Sequence, residues 1–301
     1  MTKVLVLGAG GMLGGMVARV LAERPKLELT TAARGDRAVD ASRHQRFDAL
    51  HDPLDSLLGG GRYDWIVNAI GVIKPRIDEK NPASIDNAIA VNALFPYRLA
   101  REAAARGQRV IEVATDGVYA GAAGPYDESA PHDPRDVYGK TKSLGEVPAD
   151  NVWRLRCSIV GPERGPASSL LGWALGAEAG TELTGYDGHR WNGITTLHFA
   201  RLCAAIVAGA EVPPGLQHVV PADSVSKAEL LELALEAFGR TDISVRRTPG
   251  PGAPVDRTLA TRDPAANERL WAAAGYERPP TIEAMLHELA DALAGHPAGA
   301  H

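Results

Sequence analysis

The sequence predicts an α/β fold, with a doubly wound parallel sheet in the first half and a less regular second half. Three observations carry this. Short apolar runs alternate with stretches of helical periodicity up to about residue 160. A glycine loop at residues 8–14 joins the first apolar run to the first helical stretch. Gly and Pro then punctuate the second half at 161–166, 176–193, 209–215 and 249–254.

The elements follow in order. Residues 3–7 (KVLVL) are nearly all apolar, as suits a strand buried on both faces. Residues 12–23 read as a helix with Val17, Val20 and Leu21 on one face, ended by Pro25. Residues 27–33 make a second strand, 45–48 a short third and 63–69 (YDWIVNA) a fourth. A helix is predicted over 82–106, with Ile85, Ile89, Leu94 and Leu99 as its apolar positions and Pro96 as a kink. Strands at 109–114 (RVIEVA) and 152–155 bracket a helix at 137–145. Such alternation implies right-handed βαβ units, which bring the C-terminal strand ends to one ligand-binding edge. Further on, Ser226 and Glu229 make a capping box for a helix with Leu230, Leu231, Ala234, Leu235 and Phe238 on one face. Pro279 and Pro280 precede a last helix striped by Ile282, Met285, Leu286, Leu289 and Leu293. Both stripes read as core. The tail from Gly295 is expected to fray.

Composition bounds the function. Of 301 residues, 45% are apolar and 23% charged, a globular balance. Arg outnumbers Lys by 25 to 7, yet the net charge is −5, which argues against a nucleic-acid partner. No apolar run reaches the ~18 residues that span a bilayer, so no membrane partner is expected. The first residues run straight into a strand and do not read as a signal peptide, so a cytoplasmic location is expected. Cys157 and Cys203 have neither CxxC nor metal-ligand spacing. They read as buried free thiols, and no metal site is predicted.

Three motifs carry chemistry. The loop Gly8-Ala-Gly-Gly11-Met12-Leu13-Gly14 follows a strand and opens a helix, as a dinucleotide pyrophosphate site requires. Gly8 permits the turn, Gly11 a close phosphate approach and Gly14 close helix packing, while the helix N-terminus faces the anion. At the end of the second strand, Arg34 and Arg37 point to the extra phosphate of NADPH, and Asp36 leaves NADH open. Tyr138 and Lys142 stand at i and i+4 on one helix face. A neighbouring ammonium favours the phenolate and lowers the Tyr pKa, so the hydroxyl can exchange a proton with a carbonyl oxygen as hydride arrives. Thr115, at a strand end, is placed to bond the same oxygen, with Asp116 and Gly117 beside it.

Together these residues resemble the extended short-chain dehydrogenase/reductases, in the dTDP-4-dehydrorhamnose reductase branch. The glycine loop is similar to the family's GxxGxxG. Asn68-Ala69-Ile70-Gly71 resembles its cofactor-lining loop, and Asn92 with Pro96 its N-x-x-x-P helix. Residues 115–121 (TDGVYAG), 126–131 (YDESAP), 138–146 (YGKTKSLGE) and 156–161 (RCSIVG) are similar to its later motifs in order and spacing. The resemblance implies a Rossmann-type domain over 1–160 and a smaller sugar-nucleotide lobe mainly over 161–301, some segments of which return to the Rossmann-type domain. It implies Thr115, Tyr138 and Lys142 as the catalytic triad and Asp48 near the adenine. Cofactor residues would be Gly8, Gly11, Met12, Leu13, Gly14, Arg34, Asp48, Ala69, Ile70, Gly71, Tyr138 and Lys142. The substrate would be a nucleotide-linked 4-keto-6-deoxyhexose, reduced at C4 by NADPH or NADH.

There are departures. Gly117 stands where the family usually has Tyr, and residues 189–196 (HRWNGITT) differ from it. Arg190, Trp191 and Asn192 there are candidate substrate residues, with Thr115, Asp116 and Gly117. The family's metal-assisted dimer finds no matching ligand set, although a homodimer stays open. Two alternatives share the fold: an epimerase that recycles tightly held NAD, and a non-catalytic subunit like the methionine adenosyltransferase β-subunits. The Arg34 turn counts against the first and the Thr115, Tyr138 and Lys142 set against the second.

Overall fold

The computed structural model describes residues 1–35, 43–59, 63–163 and 169–295. Asp36, Arg37 and the tail beyond Gly295 lie outside the described residues.

The first half runs β1 (Thr2–Leu7), α1 (Met12–Ala22), β2 (Leu27–Ala33), β3 (Arg43–Arg46), α2 (Leu54–Leu58), β4 (Trp65–Asn68), α3 (Pro82–Ile89), α4 (Phe95–Ala104), β5 (Arg109–Ala114), α5 (Val137–Leu144) and β6 (Val152–Arg156). The second half continues with β7 (Ile159–Val160), α6 (Leu170–Leu175), β8 (Glu182–Tyr186), β9 (His189–Trp191), β10 (Ile194–Thr195), α7 (Thr196–Val207) and β11 (Gly215–His218). It ends with β12 (Val225–Ser226), α8 (Lys227–Ala237), β13 (Ser244–Thr248), β14 (Val255–Asp256), α9 (Pro264–Ala273) and α10 (Ile282–Ala294).

Seven strands form the central sheet in the order β11-β6-β5-β4-β1-β2-β3, and every pairing is parallel. This is a Rossmann-type sheet. Strand order reverses beside β1, which opens a crevice at the C-terminal ends of β1 and β4. On one face, Met16, Val17, Val20 and Leu21 of α1 join a core with Phe199, Cys203 and Ile206 of α7. On the other, Leu54, Leu57 and Leu58 of α2 join Phe95, Leu99 and Ala103 of α4 over Leu5, Leu7, Ile66 and Val110. Burial of each such side chain contributes about 1.5–3 kcal/mol. Cys157 and Cys203 are buried and free.

The helix predicted over 82–106 contains one π turn, residues 90–94, between α3 and α4. A wide turn rotates the following helix face. Ala88, Val91, Asn92 and Ala93 therefore point inward, while Ile89 and Leu94, expected in the core, are 37% and 56% exposed. Pro96 falls in the first turn of α4, where a missing N–H costs little.

The second half supplies β11 and α7 to the sheet and its cover, which periodicity did not reveal. Eleven of the twelve α7 residues are buried, so the helix has no polar face to betray it. Leu270 and Trp271 of α9 and Met285 and Leu286 of α10 join the core of α1 and α7, and the rest forms a small lobe. In it β8 pairs with β13, and Ala174, Leu183, Leu231, Leu235 and Ile243 pack between them, α6 and α8. The capping box on α8 is present: Glu229 N–H donates to Ser226 Oγ at 3.1 Å and Ser226 N–H donates to Glu229 Oε2 at 2.6 Å. Among the described residues no helix is long and apolar enough to cross a membrane.

Candidate active site

The crevice is built from the glycine loop outward. Gly8 has φ +77°, and a Cβ there would lie 2.8 Å from the Ala69 carbonyl oxygen. A Cβ on Gly14 would lie 2.3 Å from the Gly8 carbonyl oxygen. Loop, helix and β4 strand end therefore interlock at backbone distance. Gly11 caps α1 without any side-chain hydrogen bond, and it is exposed. The first-turn N–H groups, including those of Met12 and Leu13, thus face the crevice free for an anion.

Arg34 directly follows β2 and is exposed. Asp48 lies two residues past β3. Burial pushes its carboxyl up, but the Leu50 N–H, His51 and Arg34 outweigh that, so its pKa lies below the usual value. Ala69, Ile70 and Gly71 follow β4. Ile70 N–H donates to Asn68 Oδ1 at 3.1 Å. Asn92, carried inward by the π turn, accepts from Val72 N–H at 2.8 Å and donates to the Val72 carbonyl at 2.9 Å. Its amide also donates to Thr141 Oγ1 of α5 at 3.2 Å. One side chain therefore ties the β4 loop to the helix that carries Tyr138 and Lys142.

That helix opens at Asp136, which accepts from Gly139 N–H at 2.8 Å and pairs with Lys74 at 2.8 Å. Thr115 caps the turn after β5, accepting from Gly117 N–H at 3.0 Å. Thr115 and Tyr138 meet over this turn: a Cβ on Gly117 would lie 3.3 Å from Thr115 Oγ1. A Cβ on Gly117 would lie 3.1 Å from the Tyr138 ring, so the smallest residue lets the ring sit flat on this turn. Burial raises the Tyr138 pKa to about 12, against the lowering effect of Thr115, and Asp116 and Asp136 raise it further. This differs from the lowering expected of a neighbouring ammonium. Lys142 donates to the Val113 carbonyl at 2.8 Å and feels Glu112 and Glu146, and its own pKa is depressed by burial.

The substrate candidates divide. Asp116 sits beside Thr115 on the crevice floor, its pKa raised by burial and drawn down by Lys227 and Arg257. Trp191 is buried, with the Lys227 ammonium 5.1 Å from its ring centroid. Arg190 turns to Ser224, donating to its carbonyl at 3.0 Å and its Oγ at 2.5 Å. Asn192 closes on Leu259, donating to its carbonyl at 2.7 Å and accepting from its N–H at 2.8 Å. The partners of both lie within the second half of the chain.

Sequence reasoning missed Lys227, Arg257 and His189. Burial lowers Lys227 to about 8, opposed by Asp116. Burial, then Lys227 and Arg257, lower His189. These side chains gather beyond Asp116, and a cavity of about 830 Å³ opens beside Lys227 and His189 between α6, β8 and α8. Leu170, Trp173 and Tyr186 also line it. It adjoins the Tyr138 crevice without including Tyr138.

Beneath the site, Arg156 is fully buried. It donates to Glu146 at 2.5 and 2.6 Å, to Tyr119, and shares contacts of 2.9 and 3.0 Å with His132 and His218.

Residues 1–160 match the family described as the RmlD substrate binding domain. A dTDP-4-dehydrorhamnose reductase of Streptomyces griseus is 30% identical over 97% of this chain and 94% of its own length. The chain belongs to the RmlD family. Its fold is shared with solved structures. The Bacillus anthracis dTDP-4-dehydrorhamnose reductase in complex with NADP matches at TM-score 0.73 and 18% identity, over 96% of this chain and 99% of that one. The Bacillus cereus UDP-glucuronic acid 4-epimerase in complex with NAD matches at 0.70 and 16%, over 99% of each. This RmlD-family chain is an extended short-chain oxidoreductase.

Proposed function

We propose that this RmlD-family chain reduces the 4-keto group of a nucleotide-linked 4-keto-6-deoxyhexose, with NADPH preferred. The observation that carries the reading is the meeting of Thr115 and Tyr138 over the Gly117 turn at the C-terminal edge of the sheet, beside an uncapped α1 N-terminus. The interlocked glycine loop and open helix end fit a dinucleotide pyrophosphate. Ala69, Ile70 and Gly71 would border the cofactor, Lys142 its ribose, Asp48 its adenine, and Arg34 the phosphate that marks NADPH. The cofactor supplies the hydride when bound.

The protein's part is proton handling and positioning. At neutral pH, Tyr138 with its raised pKa is a phenol, the form that donates. Thr115 is placed to hold the same substrate oxygen as negative charge develops there. The cations Lys227 and Arg257 suit a diphosphate, and the adjoining cavity with Trp173 and Tyr186 suits a flat base. A homodimer would use the exposed Ile89, Leu94, Tyr97 and Leu144 on α3, the π turn, α4 and α5.

The test is loss of NADPH absorbance by pure protein offered dTDP-4-dehydrorhamnose and other nucleotide 4-keto-6-deoxysugars. Turnover with one of them supports the reading. Cofactor binding without turnover across the set rejects it. Arg34→Ala should raise the KM for NADPH while leaving that for NADH alone.

A further inference from the structure

Glu112 sits in the middle of β5 and is 6% exposed. In register it is flanked by Asn68 of β4 and Arg154 of β6. Asn68 accepts from Ile70 N–H, so its NH2 group turns to Glu112 and donates to the two carboxylate oxygens at 3.1 and 3.2 Å. Lys142 donates to the carbonyl of Val113, the next residue along β5. A central strand buried on both faces has no structural need of an acid, and an unmatched carboxylate there is costly. The nearby cations are Lys142 and Arg154, and Glu146 acts on both of them.

We propose that Glu112 is a positioning residue for Lys142, holding its ammonium charged at the cofactor edge through the alkaline half of the working range. The proposal rests on the assignment of Lys142 to the cofactor ribose. Burial alone drives Lys142 toward the neutral amine, and the Glu112 carboxylate works against that. Glu112 itself is raised by burial to about 7, so it ionises as the pH rises and its support for Lys142 grows in the same direction. An amide in its place would leave Lys142 with Glu146 as its remaining support.

Two measurements test this on the whole chain. The first needs no activity. Carbon-13 NMR of labelled Glu carboxylates, assigned with Glu112→Gln, should show Glu112 titrating near neutrality, and Lys142→Met should move that titration upward. A Glu112 titration untouched by Lys142→Met overturns the coupling. The second is the pH dependence of NADPH binding by fluorescence and of kcat/KM, from about pH 6 to about pH 9. In Glu112→Gln the alkaline limb of both should fall by about one pH unit, and Glu112→Asp should restore part of it. A uniform offset with the limb unmoved would mean a merely structural role and would reject the proposal. If instead Lys142→Met shifts Glu112 but leaves NADPH binding intact, the ribose assignment is what fails.

Discussion

Replacing Arg156 with methionine leaves a carboxylate without its cation inside the protein. Met has similar length and no polar atom. Glu146, whose side chain is 10% exposed, loses both of its charge-assisted hydrogen bonds, and His132, His218 and Tyr119 each lose a partner. Orphaning one member of a buried ion pair costs about 3–5 kcal/mol. For a chain of this size that lowers Tm by on the order of 10 °C. Urea unfolding followed by circular dichroism measures it. The double variant Arg156→Met/Glu146→Leu removes both charges and should recover at least ~2 kcal/mol of the loss. A single-variant loss below about 1 kcal/mol would place the pair at the level of a surface bridge. Additive losses in the double variant would show that Glu146 does not depend on Arg156. Either result would refute the view that this network braces the β6 end of the site.

Tyr138→Phe should keep NADPH binding and lower kcat by about 10²- to 10⁴-fold in steady-state assays. Gly14→Ala should weaken NADPH binding by at least ~10-fold, since a Cβ 2.3 Å from the Gly8 carbonyl oxygen must displace the loop, and fluorescence titration reads it. Stability should fall as pH drops below about 6.5: His132 and His218 have folded pKa values lowered by burial, with Arg156 adding to it, so the unfolded chain binds protons first. Thermal melts across that range check the sign, and a gain in stability on acidification would contradict it. Leu94→Glu/Leu144→Glu should reduce self-association in sedimentation experiments without lowering Tm, because both side chains are already solvated in the single chain.

The strands of the first half were legible because β1, β4 and β5 are covered on both faces, and unbroken apolar runs announce that. The helix α7 was not, for the same physical reason: complete cover erases the polar stripe that marks a surface helix. The exposure of Ile89 and Leu94 followed from one wide turn that no periodicity count contains. At the site, Thr115, Tyr138 and the glycine loop stand in local patterns, so they were readable. Lys227 was hidden inside a capping box that has its own structural meaning, and Glu112 inside a run (RVIEVA) read simply as a strand. Asn192 bonds Leu259, which lies 67 residues away. Such contacts are set by the closed fold and leave no mark nearby in the chain.

The position of α7 and β11 bears on how the chain comes to be folded. When a ribosome has released residues 1–160, β6 still has an open edge and the apolar side of α1 has no cover. Both are completed only by residues 196–218, after α6, β8 and β9 but before α8 and β13 have been made. The sheet therefore closes only after the chain has passed once through the lobe and back. Synthesis passes through a stage in which a parallel sheet waits for its last strand, with an exposed edge and an apolar face that other chains could adhere to. Cutting the gene at the family boundary near residue 160 would make that vulnerable stage permanent.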